Sequence, residues 1–432
     1  MSTATNLVLW QPCEKVEWPA VQVKHIFETT LGKMLQPQPA SADDIETPYI
    51  KSVHVQWHGV SFDELPTMWA SHLDTEQLEI RIGDLMVCEG GEVGRGALVL
   101  SDPPPNCIFQ NALHRVRARQ SNDVRYLNYC LKQASEAGWF DVICNRATIA
   151  HFTAEKFREL RIHLPESKIQ NLIANYLDRE TARIDELIAE KERMLALLEE
   201  KRTALISRVV TRGLDSGVPL KPSGQEWLGE IPVHWQTTKF SWDVFISEGQ
   251  VDPEEDKFSE MILIAPNHIE SRTGQVTRTE TSSDQGAISG KYLCKQGDVL
   301  YSKIRPALRK VALADEDCLC SADMYALRPS ERLVPEYLQH FLLSEDFSTW
   351  AELESARVAM PKINRETLSM IRIPVPPIEE QECIISEIRN GTEQIDLQRS
   401  AIRGSVELLK ERRAALITAA VTGQIPLEEM IR

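Results

Sequence analysis

Residues 201–214 read KRTALISRVVTRGL, and residues 412–425 read RRAALITAAVTGQI. The likeness is one end of a longer match. Setting Arg161 against Arg372 gives an offset of 211 residues that holds without a gap from 161 to 214 and from 372 to 425, with 17 of 54 positions identical. The identities include the polar pairs Gln170/Gln381, Thr181/Thr392, Asp185/Asp396, Glu200/Glu411 and Arg202/Arg413. A shared amphipathic pattern would repeat apolar positions but not these, so the block is an internal duplication. The same register carries upstream to Arg146 and Arg357.

Within each copy the periodicity predicts one long helix. Ile388, Ile395, Ile402, Leu409 and Leu416 recur every seventh residue, and Leu177, Ile184, Lys191, Leu198 and Leu205 take the matching places in the first copy. Five heptads in register predict a coiled-coil seam, interrupted only by Lys191. Pro165 stands before the first helix and Pro374, Pro376 and Pro377 before the second, while Gly213 and Gly423 suit the ends. At about 1.5 Å per residue, roughly 45 residues make a helix on the order of 65 to 70 Å long.

The segments before the helices are a second, more diverged repeat. VEWPAVQVKHIF (16–27) parallels VHWQTTKFSWDVF (233–245), setting Trp18 against Trp235 as core anchors. IRIGDLMVCEGGEVGRGALV (80–99) parallels CKQGDVLYSKIRPALRKVAL (294–313), where Gly83-Asp84 and Gly297-Asp298 make a turn into a β-rich run. CIFQNALHRVRA (107–118) parallels CLCSADMYALRP (318–329). Short β-branched runs broken by Gly, Asp and Pro predict mixed domains with curled sheets. The expected fold is α+β, with two α/β domains with curled sheets (1–160 and 216–371), each followed by a long helix (161–215 and 372–432). The domains share a skeleton and differ in their loops, which suits two modules that read different things.

Composition narrows the chemistry. With 432 residues, 42% of them hydrophobic and 26% charged, the chain can bury more than one core. No apolar run reaches the roughly 18 to 20 residues of a membrane span, and MSTATNLVLWQPCEKVEW has neither a basic n-region nor a cleavable apolar core; a cytoplasmic protein is expected. Nine cysteines without framework spacing fit reduced thiols. Cys318 and Cys320 form C-x-C, and neither C-x-x-C nor H-E-x-x-H occurs, so no metal or other cofactor is expected. A net charge of −16 argues against general coating of nucleic acid and confines any DNA surface to a local patch. SKIRPALRK (302–310), with four cations and no acid, is the best such patch; its bland reading is a solvated loop.

EWLGEIPVHW (226–235), GDVLYSKIRPALRKVAL (297–313), RIPVPPIEEQECIISEI (372–388) and the LI…VTG helix ending (416–423) together resemble the specificity subunit of Type I restriction-modification enzymes. The resemblance covers nearly the whole chain. It implies two target recognition domains, each reading half of a split, asymmetric sequence in double-stranded DNA. It also implies helices that pair antiparallel and dock two DNA adenine methyltransferase (modification) subunits, and restriction/translocase subunits through the complex. The first copy departs from the pattern. RIHLPESKIQ places His163, Glu166 and Lys168 where the second copy keeps P-P-x-x-E-Q, and CEGGEVGRG lacks the basic run. Two unlike halves closed as an isologous pair would meet DNA in opposite orientations, with half-site centres roughly one turn of about 10 bp apart. Lengthening the helices, as by four residues after Asp185, is expected to lengthen the non-read spacer.

Candidate phosphate contacts in the second domain are Lys303, Arg305, Arg309 and Lys310, with Ser302 and Asn267 as base readers; in the first domain the candidates are Arg95, Gln110, Asn111 and Arg146. Arg146 and its repeat partner Arg357 equally suit pinning a helix to its domain. SDPPPN (101–106) has Pro105 where an amino-methyltransferase motif needs an aromatic, and GGEVGRG (90–96) lacks G-K-[ST]. With no carboxylate or histidine cluster for a nuclease, a non-catalytic subunit is expected. The competing class is a coiled-coil protein-interaction scaffold carrying two unlike modules, with steep salt dependence of DNA binding as the discriminator.

Overall fold

The computed structural model describes residues 17–143, 152–356 and 361–431. The chain divides into two compact units, one built from residues up to Glu190 together with those from Ser405 onward, the other from Lys191–Gly404. Each unit combines a sheet-rich domain with segments of both long helices.

In the first unit, β1 (Phe27–Leu31), β2 (Leu85–Cys88), β3 (Gly96–Leu98) and β4 (Leu113–Ala118) form an antiparallel sheet in the order β1-β4-β2-β3. A second sheet sets Ile45–Ile50 between Thr67–Ala70 and Ile108–Phe109, and is parallel to the latter. Helix α1 (Val124–Glu136) covers the first sheet and begins at Asp123, whose carboxylate accepts from the Arg125 N–H. The long helix α2 spans Ser167–Arg212. The strand before it, Arg161–His163, pairs with Ala20–Gln22 and so ties both ends of the domain to the helix start.

The second unit repeats the plan. Strands β5 (Val244–Ile246), β6 (Val299–Ser302), β7 (Val311–Leu313) and β8 (Met324–Pro329) take the order β5-β8-β6-β7. Leu263–Ile264 runs parallel to Cys318–Cys320, as Ile45–Ile50 does to Ile108–Phe109. Here an additional strand, Lys291–Cys294, lies antiparallel to Cys318–Cys320. Helix α3 (Pro335–Leu343) stands where α1 stands in the first unit, and the long helix α4 spans Ile378–Val421. The closing pair is Gln236–Lys239 with Arg372–Val375.

The turn aspartates expected from the repeat are buried clamps. Asp84 is 3% exposed, accepts from the Arg81 N–H at 2.8 Å and pairs with Arg117 of β4. Asp298, 1% exposed, does the same with the Lys295 N–H and Arg328 of β8. Both long helices end at a glycine with φ +74°, Gly213 and Gly423, a left-handed cap that side chains disfavour.

The helices pack antiparallel within each unit. In the second, Arg202 grips Asp396 with two 2.8 Å bonds while Glu199 faces Arg399 at 3.4 Å; a step of three residues back along α2 is three residues forward along α4. In the first, Asp185 meets Arg413 at 2.9 Å. Asp185 and Asp396 are repeat partners, as are Arg202 and Arg413, so the contacts are reciprocal in the manner of a two-fold pair. Ile173 and Leu177 share a core with Ile417, Ala420 and Val421, and Ile206, Val209 and Val210 share one with Ile384, Ile385 and Ile388. Every heptad position is buried or half-buried, Lys191 included. Trp235 is a fully buried core anchor; Trp18 packs half-buried against the first core.

Candidate nucleic-acid interface

The basic run does not present its cations on one face. Arg305 and Arg309 both adopt a left-handed backbone with φ +47°, bracketing a 3-10 turn at Pro306–Leu308. For a non-glycine residue this is an uncommon and strained conformation. It is held by the Arg305 N–H donating to the Pro361 carbonyl at 3.1 Å and by the Ile304↔Lys362 bridge. The two bends point successive cations in different directions. Lys303 places its ammonium 5.2 Å from the Tyr325 ring centre. Arg309 is 9% exposed, and burial, reinforced by nearby Arg272, holds its pKa below the ordinary arginine value. Lys310 donates to the Pro266 carbonyl at 2.5 Å. Arg305 is exposed, and its guanidinium has no ion pair among the described residues.

Four of the candidate residues converge nonetheless. Asn267, Ser302, Arg305 and Lys310 line one cavity of about 650 Å³, with Asp323 the acid at its wall. The Ser302 side chain is buried and donates inward to the Ile304 carbonyl at 3.1 Å, so it shapes the cavity floor. Asn267 is exposed on a second 3-10 turn, Pro266–His268, and its carboxamide has no partner among the described residues.

The first domain carries the same turn at Ser52–His54, which sequence inspection did not single out. In both, the histidine ring accepts from the backbone N–H three residues earlier: His54 Nδ1 from Lys51 at 3.0 Å, His268 Nδ1 from Ala265 at 3.3 Å. Burial, with Lys51 adding to it, lowers the His54 pKa, which favours the neutral ring this bond requires. The histidine carbonyl then accepts from the returning chain, from Ser61 at 2.9 Å and from Thr277 at 2.8 Å. A cation from the neighbouring strand end holds the turn's first carbonyl. Arg95 donates to Ser52 at 2.9 Å, as Lys310 does to Pro266, and Arg95 also pairs with Glu92 at 2.8 Å. Arg95 and Lys310 therefore occupy corresponding places as clamps. The middle residue is left outward: Val53, 58% exposed, in one domain and Asn267 in the other. The signal was present in the sequence, since Ile50, His54 and Val55 meet Ile264, His268 and Ile269 at an offset of 214 residues.

Gln110 and Asn111 are half-buried on the strand connection. Their backbones bind Ile50 and Lys33 at 3.0 and 2.9 Å, which fixes the edge beside the turn. Arg146 lies outside the described residues, as does its repeat partner Arg357. Among the described residues no group of three or more His, Cys, Asp or Glu could hold a metal ion, and no helix is long and apolar enough to cross a membrane.

Two sheet-rich domains of one plan, each leading into a long helix of an antiparallel pair, define a duplicated two-domain protein. The chain belongs to the Type I restriction modification DNA specificity domain family, whose model matches residues 15–195 and 243–408. It is 28% identical over 294 residues to the Type I restriction enzyme EcoDI specificity subunit of Escherichia coli, covering 65% of each chain. It is 22% identical over 332 residues to the Type I restriction enzyme MjaVIII specificity subunit of Methanocaldococcus jannaschii, covering 73% of this chain and 74% of that one. In fold it is similar to a structure solved in work on complex assembly and conformational transition of the type I R-M system, with TM-score 0.67 and 17% identity over 96% of this chain and 100% of that chain.

Proposed function

We propose that this chain is the DNA-recognition subunit of a Type I restriction-modification complex. The observation that carries the proposal is the duplication itself: two domains of one fold keep their clamps and helices and differ at the surface around the 3-10 turns. Each domain reads one half of a split, asymmetric target in double-stranded DNA. Arg305 and Lys303 supply charge to the second domain's surface, and Asn267 faces the same cavity as Arg305. Arg95, Lys310 and Ser302 act by holding the reading elements in place.

Two methyltransferase subunits dock on the paired helices, restriction subunits join through them, and catalysis resides in those partners. The reciprocal Asp185–Arg413 and Arg202–Asp396 contacts support this stoichiometry, since each half repeats the same contact between the helices. The assembly works in the cytoplasm, where its DNA is. With a net charge of −16 the chain relies on its partners for tight binding, and the complex loses affinity steeply as salt rises.

The test is single-molecule sequencing of methylated adenines in the native host and in a strain lacking this gene. Loss of one split, asymmetric motif marked on each strand is the expected result. An unchanged methylation map in a host whose partner subunits are expressed and active would refute the proposal.

A further inference from the structure

Conservation of a clamp around a variable residue is a way to keep geometry while changing what is read. The 3-10 turns at Ser52–His54 and Pro266–His268 share the histidine bond to the preceding N–H, the histidine carbonyl bond to the returning strand, and the cation on the first carbonyl. These contacts fix the backbone on both sides of the middle residue, and none uses its side chain. At that residue the two domains diverge from an exposed valine to an exposed asparagine.

We infer that this middle position is a base-reading position in each domain: Asn267 reads an adenine edge and Val53 packs against a thymine methyl group. The inference rests on the DNA-recognition function proposed above and assigns its specificity. A valine has nothing to offer a phosphate, so a position that accepts either valine or asparagine is unsuited to backbone contact. It is suited to the major groove. A carboxamide can pair bidentately with the N6 donor and N7 acceptor of adenine, and an apolar group contacts the thymine methyl. The strand-anchored turn supplies the rigidity that such a contact needs. Arg305 and Asp323, on the same cavity as Asn267, also present outward polar groups that the fold leaves unused among the described residues.

The experiment uses the full-length chain co-expressed with its methyltransferase partners, and maps methylated adenines for the wild type, Asn267→Ala, Asn267→Ser and Val53→Asn. Asn267→Ala is expected to relax one position in one half of the motif, lowering discrimination there ~10- to 100-fold and leaving the other half intact. Val53→Asn is expected to alter a position in the other half only. Both residues are exposed, so the variants should match the wild type in thermal unfolding; Asn267→Ser retains a small polar group should the alanine fold poorly. Motifs identical to the wild type, or uniformly weaker methylation with an unchanged motif, would overturn the inference while leaving DNA recognition standing. A wild-type complex that methylates without a split motif would instead overturn the recognition proposal on which it rests.

Discussion

Asp396→Ala and Asp185→Ala remove equivalent carboxylates from the two halves of the repeat, yet the structure gives them unequal costs. The Arg202 side chain is 5% exposed and that of Asp396 36%, and besides the two bonds to Asp396 the guanidinium reaches, among the described residues, only the Thr273 carbonyl at 3.5 Å. Truncating Asp396 strands a buried cation, which costs about 3 kcal/mol. Arg413 is 23% exposed and Asp185 52%, so water takes over much of that pair's work; its loss costs at most about 1 kcal/mol. The difference of roughly 2 kcal/mol corresponds to about a 30-fold difference in the folding constant. Urea unfolding followed by tryptophan fluorescence measures it, with hydrogen exchange to place the loss in the second unit. Replacing both partners, as Arg202→Met with Asp396→Leu, should recover most of the stability, because the buried Arg202 charge goes with its carboxylate while Arg399 keeps Glu199. The reasoning is refuted if Asp396→Ala costs no more than Asp185→Ala.

Glycines in α4 give a second contrast. Gly404 has open space where a Cβ would stand, so Gly404→Ala should stabilise by up to about 1 kcal/mol, whereas at Gly391 the Cβ would lie 2.4 Å from Leu205 Cδ2, so alanine there should raise the melting temperature less than at Gly404, because Leu205 has to shift. His340 is held neutral by burial, with Arg202 and Arg389 adding to it, and its pKa falls to about 4. The unfolded chain therefore binds the extra proton, and stability should drop as pH falls from about 6.5 toward 4, by about 3 kcal/mol at most. His340→Tyr, which copies Tyr129 at the equivalent place, should flatten that slope in pH-dependent denaturation. Inserting four residues after Asp185 should lengthen the non-read spacer of the methylated motif; an unchanged spacing would separate helix length from target geometry.

The parts of this fold legible in the sequence are those fixed by local periodicity and by side chains whose partners are also repeated. The heptads announced both long helices, and the polar identities marked the contacts that hold them. Gln170 accepts from the Asp123 N–H at 3.0 Å and donates to the Pro165 carbonyl at 2.8 Å; Gln381 makes the same bonds with Val334 and Pro376 at 2.8 and 2.9 Å. Lys191 looked like a break because charge alone was counted, but its aliphatic stem can line a seam while the ammonium reaches water.

The interface was less legible. SKIRPALRK reads as one basic surface only if its backbone is regular, and arginine carries no mark of a left-handed conformation in the way glycine does. Nor does sequence spacing reveal that Lys310 and Arg95 spend their donors on turn carbonyls, since those bonds span 44 and 43 residues. The turns themselves escaped notice because three residues of 3-10 helix have no periodicity to detect.

The ion pairs across the helices have a consequence for how such a chain can arise. Each copy carries its own carboxylate and its own guanidinium, at Asp185 and Arg202 in one and Asp396 and Arg413 in the other. Two identical half-length chains could form the same two bonds with each other. Joining them end to end would have required no new contact, only a linker. A fused pair is released from sameness: the surface of one half can drift from the other while the self-complementary helices keep both in partnership.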